Sequence, residues 1–277
     1  MTVPTREANG ASIPILGLGT YGLKGEEARA MAAKAIEIGY RHIDTAAAYG
    51  NEADVGAGIA DSGLARGDLF VTTKVWPDHF EPSAMHRSAA ESLERLGLDH
   101  VDLLLLHWPN PDVPLSTSVP ALCGLQKAGL ARHVGISNFN VKLIEEAVRI
   151  ADVPLAVNQV EYHPFLTQRD VLAALGKAGM ALTAYSPIAR GKVVGNEVLE
   201  RIAARHGKSA VQVTLRWLVQ QDVIAIPKTS SEENARANMA IFDFTLTDEE
   251  MREIHALGSP AGRMIEMDAY APEWDAA

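Results

Sequence analysis

The chain has 277 residues, 47% hydrophobic and 22% charged, proportions of an ordinary globular protein that exclude disordered, collagen-like and coiled-coil classes. Lys and Arg number 25 against 35 Asp and Glu, and the net charge of −10 argues against bulk binding to nucleic-acid phosphates. The one cysteine, Cys123, has no partner for an internal disulfide and suits a reducing compartment. The opening residues carry charges and a turn where a secretory signal needs an apolar run, and the most apolar stretch, 101–106, is too short to span a bilayer. A cytoplasmic protein without membrane contact is expected.

Asn9-Gly10 is a two-residue hairpin signal with β-prone flanks, so residues 2–14 are expected to form an N-terminal hairpin. Short apolar runs then alternate with stretches of helical periodicity, the signature of repeated βα units. Strands are expected at 15–18, 42–46, 69–74, 101–106, 133–137, 156–160, 181–185 and 223–226. Helices are expected at 26–38, 52–61, 82–96, 119–127, 141–151, 168–177, 210–220 and 232–240. Two further helices, 197–206 and 248–257, the second capped by Thr247, stand outside this alternation. Eight βα units in this length fit a closed α/β barrel, a (β/α)8 TIM barrel, spanning residues 1–277 as one domain.

A barrel confines the search for chemistry to the C-terminal ends of its strands. Those positions hold Gly19, Thr20 and Tyr21; Asp44 and Tyr49; Lys74 and Trp76; His107 and Trp108; Ser137 and Asn138; Gln159; Tyr185 and Ser186; and Lys228 and Thr229. A phenol, an ammonium, a carboxylate and an imidazole around one mouth suit proton transfer, because an adjacent lysine stabilises phenolate and is expected to lower the tyrosine's pKa. His79 and His163 have the look of metal ligands only in isolation, and no metal is expected.

The segments H-I-D-T-A-A-A-Y-G-N-E (42–52), V-T-T-K-V-W (71–76), L-L-L-L-H-W-P (103–109), G-I-S-N-F (135–139), N-Q-V-E-Y-H-P (158–164), A-Y-S-P (184–187) and I-P-K-T (226–229) resemble the aldo-keto reductases. The resemblance is greatest to the bacterial members that include the 2,5-diketo-D-gluconate reductases, and it runs from Gly17 to about Leu257. It implies an NADPH-dependent reduction of aldehydes or ketones of small or sugar-derived metabolites. Tyr49 would be the general acid, Lys74 and Asp44 its electrostatic partners, and His107 the group orienting the carbonyl. Ser137, Asn138 and Gln159 would hold the nicotinamide carboxamide, with Tyr185 stacking on the ring.

No G-x-G-x-x-G opens a helix after the first strand, so phosphate binding is expected from the last two strand–helix loops instead. Ser186, Pro187, Arg190 and Lys192 stand in the first of these loops, and Lys228, Thr229, Ser230 and Ser231 in the second. Where the family commonly has an arginine contacting the adenosine 2′-phosphate this chain has Asn234, with Asn238 four residues on. NADPH is expected, with NADH as the alternative. Gly19, Thr20 and Tyr21 are expected to border the cofactor, and Tyr21, Trp76 and Trp108 to wall the substrate pocket. The tail after Gly258, with Met264, Met267, Tyr270 and Trp274, either closes this pocket or frays. A monomer acting on a small carbonyl compound is expected. The competing reading, a nicotinamide-binding regulatory or structural protein on the same fold, is disfavoured by the intact Asp44, Tyr49, Lys74 and His107. A metal-assisted barrel hydrolase is the third reading.

Overall fold

The computed structural model describes residues 3–275. Thr2, the first residue of the expected hairpin, lies outside them, as do Met1, Ala276 and Ala277 of the expected 1–277 domain. Strands β1 (Thr5–Ala8) and β2 (Ala11–Pro14) pair antiparallel about Asn9 (φ 46°) and Gly10 (φ 87°). Two successive positive φ values match the turn whose twist suits a two-residue hairpin. Asn9 Nδ2 donates to Leu155 O (2.7 Å) and Ala178 O (3.0 Å), fastening the hairpin across the end of the barrel where strands begin.

The alternating units follow: β3 (Leu18–Gly19), α1 (Gly25–Ile38), β4 (His42–Asp44), α2 (Glu52–Asp61), β5 (Phe70–Val75), α3 (Pro82–Leu96), β6 (Val101–Leu106), α4 (Leu115–Lys127) and β7 (Ala131–Ser137). Then come α5 (Val141–Ile150), β8 (Leu155–Glu161), α6 (Arg169–Ala178), β9 (Ala181–Tyr185), α7 (Glu197–His206), α8 (Ala210–Val219), β10 (Ile224–Ala225), α9 (Glu232–Met239) and α10 (Asp248–His255). Strands β3 to β10 pair in parallel in sequence order. The ring closes where Gly17 N donates to Ala225 O (2.9 Å), Ala225 N to Ile15 O (2.9 Å) and Gly19 N to Pro227 O (3.1 Å). The expected (β/α)8 barrel is therefore present.

Every residue of β5, β6 and β8 is buried, because side chains on one face fill the barrel and those on the other meet helices. Buried polar residues interrupt each of them: Thr72, Thr73 and Lys74 in β5, Asp102 in β6, and Asn158, Gln159 and Glu161 in β8. Two expectations are corrected. The strand expected at 15–18 is divided: Ile15 and Gly17 bond to the last strand, while Leu18 and Gly19 pair with β4. Helix α4 starts four residues before the expected 119, with Pro114 preceding its first turn and Pro120 inside it. The supernumerary α7 and α10 contact each other, and His206 Nε2 meets Glu250 Oε2 at 3.0 Å. Thr247 and Glu250 form a reciprocal capping box that starts α10. Among the described residues no helix is long and apolar enough to cross a membrane.

Candidate active site

The end of β4 delivers Asp44 to the mouth, and a single 3₁₀ turn, Ala47–Tyr49, stopped by Gly50 at φ 64°, turns the chain back so that Tyr49 faces β5. Asn51, buried, fixes that turn. It donates to Thr20 O and Leu23 O (2.9 Å each) and accepts from Thr45 Oγ1 (2.9 Å). From β5, Lys74 enters with 1% exposure and uses its ammonium on three acceptors: Asp44 Oδ1 (2.6 Å), Thr45 O (2.8 Å) and Tyr49 Oη (3.3 Å). Burial works against the Lys74 charge, yet Asp44 and Tyr49 outweigh it and hold its pKa above the ordinary value.

Tyr49 corrects an expectation. Its ring is half-buried and its hydroxyl lies deep; burial pushes the phenol up, the pull of Lys74 is smaller, and the balance leaves the pKa above 10 rather than below it. Asp44 adds to the rise, since a carboxylate beside a phenol opposes a second negative charge. His107, at the end of β6, packs edge-on to Trp76 (5.3 Å, 89°) and Tyr49 (5.7 Å, 72°). Burial, assisted by Lys74, holds its pKa well below the usual 6.5, so the ring is neutral near pH 7. Its Nδ1 is buried without a partner.

The second half of the mouth is amide-rich. Gln159 Nε2 donates to Asp44 Oδ2 (2.7 Å), so this carboxylate serves Lys74 with one oxygen and Gln159 with the other. Ser137 Oγ donates to Gln159 O (2.8 Å). Asn138, at φ 65°, donates to His107 O (3.0 Å) and Ser137 Oγ (3.1 Å), and accepts from the Tyr185 hydroxyl (2.8 Å). Thr20 turns inward to Asp44 O (3.0 Å), whereas Tyr21 is 63% exposed and meets the mouth only through its ring, 5.2 Å from that of Tyr49.

The expected phosphate ligands divide. Ser186 and Arg190 have positive φ (47° and 52°) in the loop after β9, where Pro187 is buried and Arg190 exposed. Lys228, Ser230 and Asn234 are exposed, but the Thr229 hydroxyl accepts Ser231 N (3.0 Å) and the Ser231 hydroxyl caps α9 through Asn234 N (3.3 Å). Asn238 is buried on the inner face of α9, 4% exposed, where the nearby Tyr40 hydroxyl donates to Ala235 O (3.1 Å). Arg236 is paired with Glu232 (2.7 Å) on the exposed face of α9.

These residues suit a nicotinamide nucleotide. The bond to Asp44 leaves Gln159 Oε1 to accept from a carboxamide, Asn138 Oδ1 retains a second lone pair, and the Tyr185 ring stands half-exposed beside them. The exposed Lys228, Ser230 and Arg190 offer two cations and a hydroxyl at the rim. Trp76 is half-buried and Trp108 buried. Over its described residues the tail packs on the mouth: Tyr270 stands edge-on to Trp76 (5.8 Å, 88°) with its hydroxyl on Asp78, and Trp274 meets Trp108 (6.4 Å, 70°). Asn51, Asp78 and the tail contacts escape sequence reasoning, because each acts through a partner far away in the chain. Among the described residues no group of three or more His, Cys, Asp or Glu is placed to hold a metal, and His163 is bonded to Glu161 (3.0 Å).

A model of the aldo/keto reductase family matches residues 15–259. The chain is 45% identical to the glyoxal reductase of Bacillus subtilis (strain 168), over 90% of each chain. It is 39% identical to methylglyoxal reductase DkgB of Escherichia coli O157:H7, over 95% of this chain and 100% of that one. A crystal structure provisionally described as a 2,5-diketo-D-gluconic acid reductase B superposes with TM-score 0.98 at 50% identity, covering 99% and 98% of the two chains. The Bombyx mori aldo-keto reductase in complex with NADP superposes with TM-score 0.91 at 34% identity, covering 97% and 96%.

Proposed function

The chain belongs to the aldo/keto reductase family, and from that premise we propose that it reduces aldehydes and ketones of small or sugar-derived metabolites to alcohols with NADPH. The observation that carries the reading is the continuous run from Asp44 through Lys74 to Tyr49, closed by contacts of 2.6 and 3.3 Å at the barrel mouth. A bound reduced nicotinamide would supply a hydride to the carbonyl carbon and be left oxidised.

The chain's own residues do the rest. Tyr49 Oη gives its proton to the carbonyl oxygen. A phenol held above its ordinary pKa keeps that proton at neutral pH, and an alkoxide is far more basic than a phenolate, so transfer is downhill once charge develops on oxygen. Lys74 then stands beside the phenolate, with Asp44 holding it in place. His107, neutral and without an acceptor at Nδ1, carries its proton on Nε2 and offers it to the same oxygen. Gln159, Asn138 and Ser137 grip the carboxamide while the Tyr185 ring supports the nicotinamide face, which is catalysis by orientation.

Lys228, Ser230 and Arg190 hold the phosphates, and Trp76, Trp108 and Tyr21 border the substrate. The barrel works as one domain, 1–277, and as a cytoplasmic monomer. In support, Cys123 is buried and free, and the exposed large apolar side chains Tyr21, Val148 and Val194 are well apart in sequence. Purified protein incubated with NADPH or NADH and a carbonyl panel of methylglyoxal, 2,5-diketogluconate and aromatic aldehydes tests the reading. Carbonyl-dependent loss of reduced-nicotinamide absorbance is expected, stronger with NADPH. Cofactor binding without turnover on any carbonyl would replace it with the regulatory reading.

A further inference from the structure

The segment N-Q-V-E-Y-H-P supplies Gln159 to the mouth, but its Glu161 and His163 take no part in the chemistry above. Glu161 ends β8 and is fully buried. A buried carboxylate must be surrounded by donors. Here Met264 N reaches Oε1 and Oε2 (3.0 and 3.1 Å), Ile265 N reaches Oε2 (3.0 Å), and His163 Nε2 reaches Oε1 (3.0 Å). His163 Nδ1 accepts Phe165 N (3.3 Å), so its proton is on Nε2 and it donates.

Two of the three donors belong to the C-terminal segment. The same segment rests on the β8–α6 connection: Ser259 N donates to Phe165 O (3.1 Å), and a Cβ on Gly262 would stand 1.7 Å from that oxygen. Past this anchor the chain carries Tyr270 onto Trp76 and Trp274 onto Trp108, and Arg263 lies 3.5 Å above the Trp274 ring. Glu161, two residues beyond Gln159 on the same strand, thus holds the segment that reaches the outer side of the mouth.

We propose that Glu161 is a positioning residue that holds the C-terminal segment across the mouth and thereby sets how tightly bulky carbonyl substrates are bound. The proposal rests on the reductase reading. A carboxylate is suited to the task because it accepts only, with two oxygens for three N–H donors; a glutamine presents one acceptor and turns an NH2 against a donor.

Two variants attack the anchor from opposite sides. Glu161→Gln removes acceptor capacity, and Gly262→Ala forces the segment off Phe165 O while leaving Glu161 intact. In both, the Met264 and Ile265 amides should exchange with deuterium at least about tenfold faster while amides of β5 to β7 stay protected. KM for an aromatic aldehyde should rise about fivefold or more, with kcat and KM for methylglyoxal and the NADPH dissociation constant within about twofold of wild type. An unchanged aromatic-aldehyde KM despite faster tail exchange overturns the proposal, since the anchor is then structural only. Proportional loss for both aldehydes with loss of barrel protection overturns it as well. If the wild type turns over neither aldehyde, the reductase reading fails and takes the specificity claim with it, a result distinct from either of the others.

Discussion

Tyr49 and Lys74 show how burial and charge compete over a few ångströms. Because burial prevails at Tyr49, the alkaline limb of the reduction rate is expected above pH 10, and Lys74→Met should move it further up while lowering the plateau, since it removes the one neighbour that favours phenolate. Tyr49→Phe should keep the fold and cofactor affinity and lose more than about tenfold in kcat, or ~1.4 kcal/mol of transition-state stabilisation; retention above a tenth would assign the proton to another group. At the far rim, Asn234 is exposed on the first turn of α9, the position at which the family resemblance implies an arginine on the 2′-phosphate. Asn234→Arg should tighten NADPH, leave NADH nearly unchanged, and lose its advantage as salt rises. Equal tightening of both cofactors in titrations would mean that the side chain meets the adenine instead.

The strands and helices were readable wherever one side chain pattern served one purpose. β6 is apolar but for Asp102, whose carboxylate is paired with Arg66 and Arg132, because helices cover it outside, and its following His107 could be assigned to the mouth from its place at the strand end. α4 was misjudged because Pro120 resembles a helix start, whereas the helix begins at Leu115 and tolerates an exposed proline in its second turn. The position of Tyr49 was readable but the direction of its pKa was not, since that depends on how deeply folding buries the hydroxyl. Glu161 and Asn51 were unreadable for a related reason: their partners stand at distances along the chain that no local spacing encodes. The seam of the barrel gives an element-scale test. A Cβ at Gly19 would stand 2.7 Å from Ile226 O, a backbone atom with little freedom to retreat. Gly19→Ala should destabilise the fold by about 2 kcal/mol or more, read as a lower urea midpoint, with lost cofactor affinity because Thr20 shifts with it.

Across the whole molecule, His42 and His107 are buried and their pKa values depressed, chiefly by burial. Below about pH 6.5 the unfolded chain binds protons that the native one refuses, so stability rises with pH through that region and falls as pH drops from 6.5 toward the depressed native values. Thermal midpoints measured from pH 7.5 downward should therefore decline before the carboxylates titrate, and His107→Gln should flatten the decline; a midpoint constant down to about pH 5 would contradict both directions. The bond between Gln159 and Asp44 has a mechanical meaning as well. β4 and β8 lie four places apart in a ring of eight, so a contact of 2.7 Å between their ends ties the barrel across its diameter. A hoop braced in this way resists becoming oval, and the helices leaning on it cannot widen or flatten the mouth without first parting that pair. Lys74 hangs from the same brace. Any deformation large enough to distort the opening therefore disarms the proton donor at the same moment.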